Sequence, residues 1–104
     1  MDEQSIDAIG VETSSGKVVL TIADHLDWSD ESGHLLALQR KLSAYLAFVE
    51  SGELNEVYPD SLGRNQVIDI VCQFPMPGAG KKFLDEARVV LESAGIELRS
   101  YVLS

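Results

Sequence analysis

The stretch Asp24–Gly52, DHLDWSDESGHLLALQRKLSAYLAFVESG, decides the fold. Leu35, Leu38, Leu42, Tyr45 and Val49 recur at alternating steps of three and four, the spacing of one helical face. Leu46 thickens that stripe, while Gln39, Arg40, Ser43 and Glu50 fall on other faces. Gly52 follows the last periodic residue and can end the helix in the left-handed conformation without a Cβ clash. At the front, Asp27, Ser29 and Asp30 are competent N-caps. Glu31 adds negative charge to the first turn, where it favours the helix dipole by about 0.3–1 kcal/mol. Ala37, Ala44 and Phe48 form a second, lesser apolar stripe. A helix with more than one apolar face packs against more than its own sheet, so these three residues are the expected partner interface.

Before this helix, residues 5–24 read as a β-hairpin. Val18, Leu20 and Ile22 alternate with Val19, Thr21 and Ala23, and both sets are apolar enough to place the strand inside the sheet. The partner strand is weaker: Ile6 and Ala8 share one face and Ile9 and Val11 the other, which predicts a bulge near Gly10. Thr13-Ser14-Ser15-Gly16 supplies the turn, with Gly16 at positive φ.

After the helix, Glu53–Asn65 reads as a long polar loop pinned by Leu54 and Tyr58. A strand over Gln66–Phe74 puts Ile68, Ile70, Cys72 and Phe74 on one face and Val67, Asp69, Val71 and Gln73 on a half-solvated other, until Pro75 and Pro77 stop it. A second helix spans Ala79–Ala94, Gly95 turns the chain, and a last strand covers Glu97–Leu103. The tight turn at Gly95 predicts that the last two strands are parallel through a right-handed crossover; the direction of the middle strand relative to the second stays open. The order is ββαβαβ: one α+β domain over 1–104, a two-layer sandwich of a four-stranded mixed sheet with two helices on one face.

Composition narrows the function classes. A chain of 104 residues with 45% hydrophobic content can bury one core without staples. The single Cys72 excludes an intramolecular disulfide and suits a reducing compartment. Met1-Asp2-Glu3-Gln4 lacks the plan of a secretory signal, and no apolar run approaches the ~20 residues that span a bilayer, so a cytoplasmic protein is expected. A net charge of −9 argues against nucleic acid and anionic membranes and suits a basic protein partner.

The combination Asp24-His25-Leu26-x-Trp28, His34-Leu35-x-x-Leu38-Gln39-x-Lys41-Leu42-x-Ala44-Tyr45-Leu46-x-Phe48, Glu50-Ser51-Gly52 and Tyr58-Pro59 resembles a family of small bacterial proteins classed as a domain of unknown function. The resemblance runs from the hairpin through the last helix and is densest over residues 24–59. It implies a stand-alone bacterial cytoplasmic protein and brings no catalytic residue, ligand or partner with it.

Three constellations carry chemistry. Asp24, His25, Asp27, Asp30, Glu31 and His34 concentrate carboxylates and imidazoles, the donors of a divalent metal. Their spacing is neither an HExxH pair nor a calcium loop, and a helix start in which aspartates cap and the histidines hydrogen-bond locally is the favoured explanation. Gly80, Lys81 and Lys82 sit where a phosphate loop would, but Pro75 takes the first glycine position and Lys82 the Ser/Thr position, which leaves at most a loose anion site. Cys72, mid-strand on the apolar face, reads as inert packing, and Trp28 as a hydrophobic staple at the helix start. No catalytic residue and no cofactor are expected. The reading is a non-enzymatic interaction module acting as a homodimer. The alternatives are an immunity-type inhibitor of a basic toxin and, less favoured, a metal-dependent binder or enzyme using Asp24–His34.

Overall fold

Period-two alternation fixes which face of each strand meets the helices. In the computed structural model, which describes residues 6–103, Val18, Leu20 and Ile22 of β2 (Val18–Asp24) are fully buried while Val19, Thr21 and Ala23 turn to the opposite face. β3 (Gln66–Cys72) contributes Ile68, Ile70 and Cys72 to the same buried face, and β4 (Ile96–Val102) contributes Ile96 and Leu98. β1 (Ala8–Val11) runs antiparallel to β2; β2, β3 and β4 are mutually parallel, in the spatial order β1-β2-β3-β4. The parallel β3–β4 pair matches the expectation from the Gly95 turn, and the open direction of the middle strand resolves as parallel to β2. The acidic residues 1–4 and the first residue of the expected hairpin lie outside the described residues.

α1 (Glu31–Glu50) and α3 (Gly78–Ser93) pack on that buried face. Leu38, Leu42 and Tyr45 from α1 and Leu84 and Leu91 from α3 join the strand residues in one core cluster. On the other face Val67 is fully buried and Asp69 nearly so, while Tyr101 is exposed. The residues of that face form rows across the sheet: Tyr101 beside Val71 and Ala23, Arg99 beside Asp69, Thr21 and Ala8, Glu97 beside Val67, Val19 and Gly10.

Two expectations need correction. No bulge interrupts β1, whose register is continuous from Ala8 to Val11. Ile6 lies ahead of the strand, so only Ile9 and Val11 must share the core face, and a single phase satisfies both. The supposed loop 53–65 holds a short helix, α2 (Glu53–Val57), and a 3-10 turn, Pro59–Ser61. Gly52, at φ 84°, stops α1 and at once caps α2, which buries Leu54 almost completely and sets Tyr58 against the core. Gly16 is left-handed at φ 72°, as the turn requires.

Two core groups resist ionisation. Burial raises the Tyr45 phenol from 10.0 to about 12. Burial, with the neighbouring Asp24 charge, raises the Cys72 thiol from 9.0 to about 11. Both therefore hold their protons more tightly folded than unfolded. Their contribution is intact below pH 9 and is lost as the pH climbs through 11 and 12. Thermal melts should show a flat midpoint to pH 9 and a steady fall above it, with Cys72→Ala removing the earlier part of that fall. A midpoint unchanged to pH 11 would contradict the buried placement of both groups.

Candidate functional site

The carboxyl end of β2 carries the densest polar constellation. Asp24 has the phase of Val18, Leu20 and Ile22, so its side chain turns to the helix side and is 3% exposed. The chain then crosses to α1, where Asp30 caps the helix by accepting from the Gly33 N–H at 3.1 Å. His34, in the first turns, is thereby delivered over Asp24. Its Nε2 lies 2.6 Å from Asp24 Oδ2 and its Nδ1 2.9 Å from the Asp27 carbonyl. A carbonyl only accepts, so Nδ1 carries a hydrogen, and one further proton is shared between Nε2 and the carboxylate. The Leu26 N–H donates to Asp24 Oδ1 at 3.2 Å and the Gln73 N–H to the Asp24 carbonyl at 2.8 Å, tying the corner to β3.

Trp28 stacks on the His34 ring at 3.7 Å between centroids and 22° between planes. This is the staple expected of Trp28, made to an imidazole rather than to an aliphatic chain. On its far side Trp28 meets Gly80: a Cβ there would lie 3.1 Å from the indole. The glycine expected for an anion loop thus serves close packing between α3 and the corner. Lys81 and Lys82 are exposed beyond it, and Pro77 caps the helix without a side-chain bond.

Of the expected metal donors, the structure brings Asp24 and His34 together. Asp27 contributes only its carbonyl, while its carboxylate accepts from the Ser29 N–H and hydroxyl, at 3.1 and 2.6 Å, which lower its pKa. Asp30 is spent on the cap and His25 is exposed. Among the described residues no three His, Cys, Asp or Glu side chains converge to hold a metal ion. A cleft of about 310 Å³ adjoins the corner, lined by Leu26, Asp27, Ser29, Asp30, Gly33 and His34. Both ring nitrogens of His34 are engaged elsewhere, so neither is offered to that cleft. The arrangement is a latch between β2 and α1.

A second cluster was not singled out from the sequence. On the sheet face away from the helices Arg99 grips Asp69 with two bonds, Nε to Oδ1 at 2.7 Å and Nη2 to Oδ2 at 3.0 Å, and reaches Glu12 Oε2 at 3.0 Å. The two carboxylates raise the guanidinium pKa, and the Arg99 bond lowers that of Glu12. One residue thus ties β4, β3 and the β1–β2 turn. The signal was a charge at the same phase in two strands that pair, Asp69 with Arg99.

The expected interface on α1 is also partly occupied. Phe48 packs against the core, and Ala37 and Ala44 are half-buried. Between them Lys41 is fully buried, its Nζ 3.2 Å from Asp7 Oδ1, and Asp7 donates its own N–H to the Tyr45 hydroxyl at 2.9 Å. The segment leading into β1 takes up much of the second stripe.

Fold and sites define a small two-layer α+β domain with a mixed four-stranded sheet. The chain belongs to a family of unknown function (DUF6572), whose model matches residues 1–104. No curated protein and no solved structure matches it. No helix of the described residues is long and apolar enough to cross a membrane.

Proposed function

We propose that the chain is a non-enzymatic protein-interaction module that acts as a homodimer. One observation carries this reading: among the described residues the sheet ends in the seven-residue strand β4, paired on one side only, beside exposed apolar residues. Phe74, Tyr101, Val102 and Leu103 are 38%, 51%, 43% and 60% exposed and lie at the same end of the sheet. Exposed apolar residues clustered at one end of a sheet rim suit association. Light scattering coupled to size exclusion tests the proposal. A mass twice the 11.4 kDa of the chain is expected at micromolar concentrations. A strict monomer at several hundred micromolar overturns it.

A second reading has its own observation. Glu50, Glu53, Glu56 and Asp60 are all exposed and share one stretch of chain with Val57 and Leu62, each 64% exposed. Acidic groups interspersed with apolar ones suit capture of a basic protein, as an immunity-type inhibitor of a toxin would do. Calorimetric titration with basic proteins encoded beside members of the family tests it. Salt-sensitive binding that Glu53→Lys weakens is expected, and no binding to any of them removes this reading.

A further inference from the structure

Among the described residues β4 is the rim of the sheet, hydrogen-bonded to β3 on one side and to no strand on the other. A single bond shows which backbone groups it leaves over. The Leu103 N–H donates to the Cys72 carbonyl at 2.8 Å, so odd-numbered residues at this rim turn their N–H and C=O groups to β3. Successive residues of a strand alternate, so the backbone groups of Leu98, Ser100 and Val102 point outward. A side chain agrees with this: Arg88 Nε, from α3, donates to the Leu98 carbonyl at 3.4 Å. Rims of this kind are templates for another strand, and proteins blunt them with brevity, proline or bulges. β4 has seven residues, no proline and an unbroken register; β1, at the opposite rim, has four residues.

The helix above this rim carries a matching pattern. Lys81, Asp85, Arg88 and Glu92 follow the spacing of one helical face. Phe83, Ala87 and Val90 meet α1 across the groove between the helices, so the charged side faces away from α1, towards the rim that Arg88 touches. Its signs read plus, minus, plus, minus, and reverse when read from the other end. Within the chain Arg88 Nη1 already pairs with Asp85 Oδ1 at 3.0 Å. Two copies of α3 running antiparallel about a two-fold axis bring the two such pairs side by side with opposite charges facing and set Lys81 opposite Glu92, while a slip of one turn sets Lys81 opposite Asp85. The side is neutral within a chain of net charge −9, whose exposed acids Glu50, Glu53, Glu56 and Asp60 gather on α1 and the segment after it.

We propose that two copies of this chain join rim to rim, β4 antiparallel to β4, so that two four-stranded sheets become one continuous sheet with the α3 helices side by side above it. The proposal rests on the homodimer reading and names its interface. The contact is isologous, as a two-fold axis demands. The alternation of backbone groups pairs even residues with even. With Ser100 on the axis, Leu98 opposes Val102 of the second copy and Arg99, held by Asp69 and Glu12 of its own chain, opposes Tyr101. With Arg99 on the axis, two arginines face each other, and the ladder loses that choice.

Ser100→Pro tests the interface, because it removes an outward N–H and leaves the bonds to β3 in place, a change that edge strands tolerate. Sedimentation equilibrium on wild type and variant should show the dimer dissociation constant rise at least about ten-fold, the loss of a few ladder hydrogen bonds, with the circular dichroism unchanged. An unchanged constant in a folded variant overturns the β4 interface while leaving self-association standing. A monomeric wild type overturns both. Amide exchange on the wild type decides the matter if the variant does not fold. The N–H groups of Leu98, Ser100 and Val102 should be protected at dimer concentrations and exposed on dilution, and fast exchange at both concentrations rejects the pairing.

Discussion

Asp24→Ala should lower the unfolding free energy by about 3–5 kcal/mol, the cost of leaving one member of a buried ion pair without the other. Asp24 and His34 are each 3% exposed, so water cannot replace the lost carboxylate without opening the corner. The Leu26 N–H would lose its acceptor at the same time, and the His34 ring would lose the group that orients it under Trp28. Domains of this size are stable by only about 5–15 kcal/mol, so the variant should sit close to unfolding at room temperature. Urea titration followed by tryptophan fluorescence measures this directly, because Trp28 reports from the stack itself. Removing both partners is a different experiment. The double variant Asp24→Leu, His34→Leu leaves no uncompensated charge, and should recover more than half of the single variant's loss. A single-variant loss below about 1 kcal/mol, the range of exposed pairs, would mean that the corner is wet and not a latch.

The reason that this latch was half-legible in the sequence lies in its spacing. Helix periodicity, the Asp30 cap and the Gly52 stop were readable because each depends on residues within a turn of one another. Strand alternation likewise put Ile68, Ile70 and Cys72 on one face and placed the Val18–Ala23 strand inside the sheet, because period two is a local property. Asp24 and His34 were noticed as a cluster, but ten residues and a change of direction separate them. Only the phase of β2 decides that Asp24 turns toward the helix while His25 turns away. Asp69 and Arg99 lie thirty residues apart and meet through strand pairing alone. Lys41 could not be foreseen in the core from helical spacing, since its burial depends on Asp7 arriving from the segment before β1. The short helix α2 was missed for a different reason: its single buried residue, Leu54, gives no periodicity to detect.

Leu38→Ala should cost more than Leu42→Ala, although both lie on the same stripe of the same helix. Leu38 is fully buried among strand and helix side chains, and truncating it leaves a cavity that its surroundings cannot fill by rotation. Such truncations cost roughly 2–5 kcal/mol, the upper part of the range belonging to sites that do not collapse. Leu42 is 6% exposed and also lines the groove between α1 and α3, an open depression of about 260 Å³ shared with Leu46, Phe83 and Leu91. Space vacated there joins a channel already open to solvent, and the lining side chains can shift into it. Leu42→Ala therefore belongs near the lower end of the same range. Leu36, one residue round the helix from the stripe and 44% exposed, supplies the control: Leu36→Ala should change stability by no more than about 0.5 kcal/mol. Chemical denaturation of the three variants orders them without any absolute scale. If Leu42→Ala proves the costliest, the groove is closed in solution and the α1–α3 contact is tighter than the gap between Gln39 and Val90 allows.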